Sequence, residues 1–193
     1  SINSTSEGGA IFIDVKYFGT NNIINNCTFI QCNAKSGGAF YFNYENSQDC
    51  TIQIKYSIFD HNSAYSNSGG AIHIFPNRKM SNIEIKQCTF KSNSALYYGG
   101  CIYFHNIIYS INKCNFSDNF LMENEKSYSN YGGSIYLIQS ESNDGIIESL
   151  FTNNTASNGG SIFCKCIYKD NFFLCNCTFI NNSAESGGGS ISF

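Results

Sequence analysis

The chain has 193 residues, enough for one domain with a sizeable interior. It is 42% hydrophobic and 13% charged, and 11 basic against 14 acidic residues leave a net charge of −3 with no basic cluster. That distribution excludes a nucleic-acid footprint, and no run approaches the eighteen apolar residues of a membrane-spanning helix, so this segment is not expected to insert into a membrane.

Read in chain order, the sequence repeats itself. Gly8-Gly9 is followed by Ile11 and Ile13, then by Ile24, Phe29 and Cys32. Gly37-Gly38 is followed by Phe40 and Phe42, then Ile54, Phe59 and Asn62, and Gly69-Gly70 by Ile72 and Ile74, then Ile85, Phe90 and Asn93. Gly99-Gly100 leads to Ile102, Phe104, Ile111, Phe116 and Asn119, and Gly132-Gly133 to Ile135, Leu137, Ile146, Phe151 and Asn154. Gly159-Gly160 leads to Ile162, Cys164, Leu174, Phe179 and Asn182, and Gly188-Gly189 to Ile191 and Phe193. The Gly pairs recur every 27 to 33 residues, while spacing inside each motif is nearly fixed. Connections absorb the variation.

Within the motifs the apolar period is two, which means strands with one buried face. No window offers an amphipathic helix. About thirty residues with three short strands fit one coil of a parallel β-helix, stacked about 4.8 Å above the last. The predicted fold is therefore an all-β, single-stranded parallel β-helix of about six to seven coils spanning residues 1–193. Phe29, Phe59, Phe90, Phe116, Phe151 and Phe179 form one predicted inward ladder. Gly pairs suit a sharp corner where stacked backbones leave no room for Cβ. Asn62, Asn93, Asn119, Asn154 and Asn182 occupy another corner, where Asn tolerates left-handed backbone and its amide can bond the Asn of the next coil. Cys32 departs from that column and should interrupt it. The chain opens on "SINSTSEGGAIF" and stops inside a repeat, so it reads as an excerpt, without caps, of a longer β-helix that continues both ways.

"GGAIHI", "GGAIFI", "FDHN", "FKSN" and "FSDN" resemble the GGA(I/L/V) and FxxN repeats of chlamydial polymorphic outer membrane proteins. The resemblance covers essentially the whole chain. It implies a right-handed, pectin-lyase-like β-helix and a cell-surface passenger or adhesin, whose membrane-anchoring barrel is not in this chain. Cys101, Ser134, Ser161 and Ser190 replace the motif Ala with other small residues.

Ten cysteines raise the question of bridges or metal. Cys27, Ser57, Cys88, Cys114, Ser149 and Cys177 form one column that asks for a small inward side chain, and a free Cys suits it. "CKC" and "CNC" lack the C-x₂-C spacing of a zinc site, so a disulfide from Cys166 to Cys175 across a corner is favoured over metal, with core thiols as the remaining reading. Candidate N-glycosylation sequons stand at Asn3, Asn26, Asn115, Asn153, Asn176 and Asn181.

Catalysis is not expected. Glycoside cleavage needs two suitably spaced carboxyl groups, and Asp60 and Asp118, read as one register, are separated by the Lys91 coil. His61, His73 and His105 do not share a column. No cofactor or metal follows from the sequence. The best surface feature is the outward aromatic column Phe12, Tyr41, His73, Tyr103, Tyr136 and Phe163, which either stabilises neighbouring strands or offers a platform to a glycan or protein. The second is the twelve-residue connection "FLMENEKSYSNY", where four to six residues suffice in the other coils. Phe120, Met122, Tyr128 and Tyr131 make it a candidate partner loop, with Tyr128 the anchor. The function expected is a stiff, structural or adhesive rod outside the cell or on its surface. Its partners would be other proteins, surface glycans and its own continuing helix. A carbohydrate-binding module, or the non-catalytic part of a polysaccharide-active enzyme, is the alternative.

Overall fold

A computed structural model describes residues 2–15, 21–44, 50–76, 81–123, 130–138, 141–165 and 172–193. Among these the chain forms 26 short strands and no helix, so no helix is long and apolar enough to cross a membrane. The strands pass through four sheets in strict rotation, and every pairing between them is parallel. One coil runs Ser63–Ala64, Ile72–Pro76, Ser81–Lys86, Thr89–Lys91, and Ser94–Ala95 then returns to lie on Ser63–Ala64. Two sheets hold seven strands and two hold six. This is the parallel β-solenoid that the periodicity predicts.

Each coil has four strands rather than three. The extra one lies just after the Asn corner and in most coils is two residues long, as in Ser94–Ala95 and Thr155–Ala156. Two residues cannot display a period, which is why the pattern hid it. Its inward residues Ala64, Ala95, Leu121 and Ala156 form a small cluster separate from the main core.

The main core is built of ladders. Rings of Phe29, Phe59, Phe90, Phe116, Phe151 and Phe179 stack in sequence with centroids 4.9, 4.9, 4.8, 4.7 and 4.9 Å apart. The four central rings are completely buried. Ile54, Ile85, Ile111 and Ile146 form a second column, and Phe40, Ile72, Ile102, Ile135 and Ile162 a third, all with no exposure. Ile11, Ile13, Leu174, Phe179 and Ile191 in the outer coils are only partly buried, and Phe193 is 73% exposed.

A polar ladder runs beside these. The side-chain amide of Asn93 donates to the Phe59 carbonyl at 3.0 Å and to Asn119 Oδ1 at 3.0 Å, and its Oδ1 accepts the Asn62 backbone N–H at 3.0 Å. Asn62, Asn119 and Asn154 repeat the pattern, each donating its own N–H and amide to the next Oδ1. Cys32 ends the ladder as the sequence predicts: its N–H still donates to Asn62 Oδ1 at 3.0 Å, but it has no amide to pass on.

The left-handed residue of this corner is not the Asn itself. It is the residue before it: Gln31, His61, Ser92, Asp118, Asn153 or Asn181. A second left-handed residue stands three before each Phe, at Asn26, Tyr56, Gln87, Lys113, Glu148 and Asn176. The three-residue Phe strand is thus bounded by one such bend at each end. The motif Asn is chosen for its amide, which links coils, and not for its φ.

The two glycines of a pair have different tasks. Gly69 adopts a φ of +67°, while a Cβ on Gly70 would sit 2.0 Å from the Gly100 carbonyl oxygen of the next coil. At Gly189, the matching position of the last coil, the nearest atom would be 3.4 Å away. Gly70→Ala is therefore expected to abolish cooperative thermal unfolding or lower its midpoint sharply, and Gly189→Ala to leave the midpoint nearly unchanged. Equal effects would contradict the stacking account. Phe90→Ala should cost about 3–5 kcal/mol in chemical denaturation. Asn93→Leu, similar in volume, should cost about 1–3 kcal/mol for each buried group left unpaired, the Asn62 N–H first.

Candidate functional site

The period of two that buries Ile72 and Ile74 turns His73 outward, and the parallel register sets Phe12, Tyr41, His73, Tyr103, Tyr136 and Phe163 in one column. Successive rings lie 5.5, 5.1, 4.5, 5.5 and 5.5 Å apart and within 14° of parallel. Stacking at that distance turns the ring faces toward one another. What the column offers to solvent is ring edges and hydroxyls, with Phe12, 53% exposed, at its open end.

A second aromatic layer covers part of this column. The residue just before each Gly pair forms its own outward series: Glu7, Ser36, Ser68, Tyr98, Tyr131 and Asn158, with Tyr131 bridged to both Tyr98 and Asn158. Tyr98 stacks on Tyr131 at 6.0 Å and meets Tyr136 at 4.8 Å, and Tyr131 meets Phe163 at 4.5 Å. Serines in the two coils below leave a gap. The result is a cleft of about 250 Å³ over Tyr41 and His73, walled by Tyr98 and Tyr103 on one side and Glu7 on the other, with Ser68 and Asn67 along its margin. Sequence reasoning missed this series because its members differ in type and lie outside the strands. Its fixed place, one residue before each Gly pair, is the signal that could have found it.

The groups in the cleft have defined protonation states. His73 Nδ1 lies 3.1 Å from the Ser68 carbonyl oxygen, which can only accept, so Nδ1 carries the hydrogen and Nε2 is an acceptor. Burial pushes the imidazole down to about 4, although the Ser68 bond and Glu7 oppose it. Burial also raises the Tyr41 phenol, and raises that of Tyr103 to about 12, so both stay neutral. The Ser6 hydroxyl donates to the Glu7 carboxylate and, with help from Lys35, holds it below the usual carboxylate range.

The family model of the Chlamydia polymorphic membrane protein repeat matches residues 56–74, 148–165 and 176–193. Three segments of the chain thus match that repeat. Each matched segment starts at a left-handed residue, Tyr56, Glu148 or Asn176, and runs through the Phe strand and Gly pair to the strand beyond. One repeat is thus one physical unit: Phe ring, Asn amide, two-residue strand, glycine corner and apolar strand. No match is found among curated proteins or among solved structures.

Other sequence-derived residues fall as follows. In the Cys/Ser column, Cys27, Ser57, Cys88, Cys114, Ser149 and Cys177 each donate to the carbonyl two residues earlier, at 2.8 to 3.4 Å. The repeat therefore requires a small side chain that also donates a hydrogen bond, which explains the exchange of Cys for Ser more fully than size does. Burial pushes the Cys101 and Cys114 thiols well up, which suits inert core positions. Cys175 is a free, half-buried thiol, and Cys166 lies outside the described residues. Asp60 pairs with Lys91, and Lys91 with Ser117. Asp118 stands one position further on, so the expected common register of Asp60 and Asp118 does not exist.

All six sequon asparagines are exposed. Four of them, Asn26, Asn153, Asn176 and Asn181, occupy left-handed bends, a conformational reason for Asn that is independent of any glycan. In the long connection, Phe120–Leu121 forms a strand with Leu121 buried in the Ala column and Phe120 42% exposed. The Asn130 amide closes the connection by donating to the Met122 carbonyl at 3.1 Å. Tyr131 belongs to the second aromatic layer, and Tyr128 lies outside the described residues.

The buried His73 gives the aromatic column a pH dependence with a fixed sign. Its folded pKa of about 4 lies below the unfolded value of about 6.5, so the unfolded chain binds more protons between those limits. The contribution is fully present above about pH 6.5 and is lost as pH falls toward 4, amounting to about 3 kcal/mol. Urea denaturation at pH 7 and pH 4.5 should show His73→Tyr, which matches its stacked neighbours, losing clearly less stability than the parent chain. Identical losses would contradict the assignment.

Proposed function

We propose that this chain is a structural and adhesive segment of a surface-exposed protein, a stiff β-helical rod whose corners meet other proteins or glycans. The observation that carries this reading is the separation of constant from variable parts. Phe and Asn ladders run from coil to coil, while differences in length and polarity fall on the corners. Stiffness is thereby decoupled from what is displayed. The repeat, named for membrane proteins of Chlamydia, supports a location at the cell surface, and the exposure of all six sequons accords with an extracellular one. Among the described residues, no catalytic constellation supports an enzymatic role.

Antibodies against the chain should label intact source cells without permeabilisation; label confined to permeabilised cells would overturn the surface reading. The long connection is the proposed protein-contacting corner. Replacing residues 123–129 with a four-residue turn, with Asn130 kept for its bond to Met122, should preserve circular dichroism and the melting midpoint. It should also weaken binding of labelled protein to those cells at least ~5-fold. Unchanged binding would remove the corner from the adhesive surface.

A further inference from the structure

The stacked aromatic column is poorly suited to hold a sugar, because its ring faces are spent on one another. Tyr98 is different. Its upper face lies against Tyr131, whereas the residue below it in the same series is Ser68, which has no ring to offer. Tyr98 also tilts against Tyr97 and Tyr103, at 6.2 and 6.3 Å, and the part of its ring that these neighbours leave open lines the cleft. Around it stand Glu7, the Nε2 acceptor of His73, and Asn67, whose side-chain oxygen already accepts the Ser68 hydroxyl at 3.0 Å and whose amide N–H groups remain as donors.

We infer that this cleft is a glycan subsite that takes one uncharged pyranose residue, with the sugar's C–H face on Tyr98 and its hydroxyls on Glu7, His73 and Asn67. Three observations select that class. One available aromatic face beside hydrogen-bonding groups matches a ligand with one apolar face and a polar rim. The space of about 250 Å³ accommodates one hexose ring. A carboxylate and a neutral imidazole acceptor ask for hydroxyl donors, and among the described residues no lysine or arginine lines the cleft to receive a uronate or sulfate, Lys35 acting on Glu7 from outside the lining. The site rests on the glycan-contact part of the proposed function, and it places that contact beside the aromatic column, on Tyr98, rather than on the column itself.

The test is an amide-resolved NMR titration of the full chain with cellotriose, maltotriose and triacetylchitotriose, with trigalacturonic acid as the charged comparison. At least one neutral trisaccharide should shift the His73, Asn67 and Tyr98 amides with a Kd on the order of 1 mM, the affinity that one small ring supplies. Trigalacturonic acid should bind at least ~10-fold more weakly. Ser68→Tyr extends the Tyr98–Tyr131 series downward and fills the cleft, and Tyr98→Ala removes the ring that would carry the sugar. Each should weaken binding at least ~10-fold, with dispersed amide spectra reporting that the fold is retained. No shifts with any neutral sugar at ten times that concentration, equal binding of the acidic sugar, or undiminished binding by a folded Tyr98→Ala chain would overturn the inference. Failure here leaves surface labelling of intact cells unaffected, so loss of the subsite and loss of the surface reading are told apart.

Discussion

Parallel strands hydrogen-bond at one spacing, about 4.8 Å, and this molecule is built to satisfy that spacing with side chains as well as backbone. A phenyl ring can stack at this distance, and the Phe centroids lie 4.7 to 4.9 Å apart. A side-chain amide can bridge it, because Asn carries donors and an acceptor at one end and so accepts from the coil on one side while donating to the other. Glycine is required where the next coil's carbonyl stands within 2.0 Å of a Cβ position. Each inward residue is thus constrained by its equivalents above and below more than by its neighbours along the chain, which is why the motif recurs while the connections drift.

The same constraint frees the outside. A corner residue needs only to make the bend, and side chains as different as Tyr56, Lys113 and Glu148 do so with φ near +50°. Such bends are costly, of order 1 kcal/mol each for residues other than Gly and Asn, and the ladders on either side of them hold them in place. Variation in one outward series is enough to create relief. Tyr98 and Tyr131 roof the aromatic column in two coils, Ser36 and Ser68 leave it open in two others, and a cleft forms at the step between them.

Most of the inward architecture was legible in the sequence, because ladders repeat residue types: Phe at one column, Ile at another, Asn at a third. Parallel pairing followed from a repeat of about thirty residues with a few short strands, and the outward aromatic column from the period of two. The left-handed bends were not legible, since backbone shape rather than side-chain type is what recurs at Gln31, His61, Ser92 and Asp118. The two-residue strands were hidden by their length. The irregular step between Ile108–Asn112 and Glu141–Ile147, where the register shifts at Tyr109/Ser110 and Gly145 adopts a φ of +78°, carries no repeated residue to announce it. Of the cleft, the sequence disclosed Tyr41, His73 and Tyr103, but not Tyr98 or Glu7, because these come from a series defined only by its distance to the glycines.

If coil-to-coil amide ladders hold the solenoid together, the backbone N–H groups of Asn62, Asn93, Asn119 and Asn154, each bonded to the Oδ1 of the next coil, should be among the last to exchange. Native-state hydrogen exchange followed residue by residue is the most direct measurement. The account predicts that these four amides exchange only through global unfolding, with protection equal to that of Phe90 and Phe116, while the exposed Ser66 and Asn67 exchange orders of magnitude faster. Exchange of the four Asn amides at rates close to those of the exposed corner would contradict it.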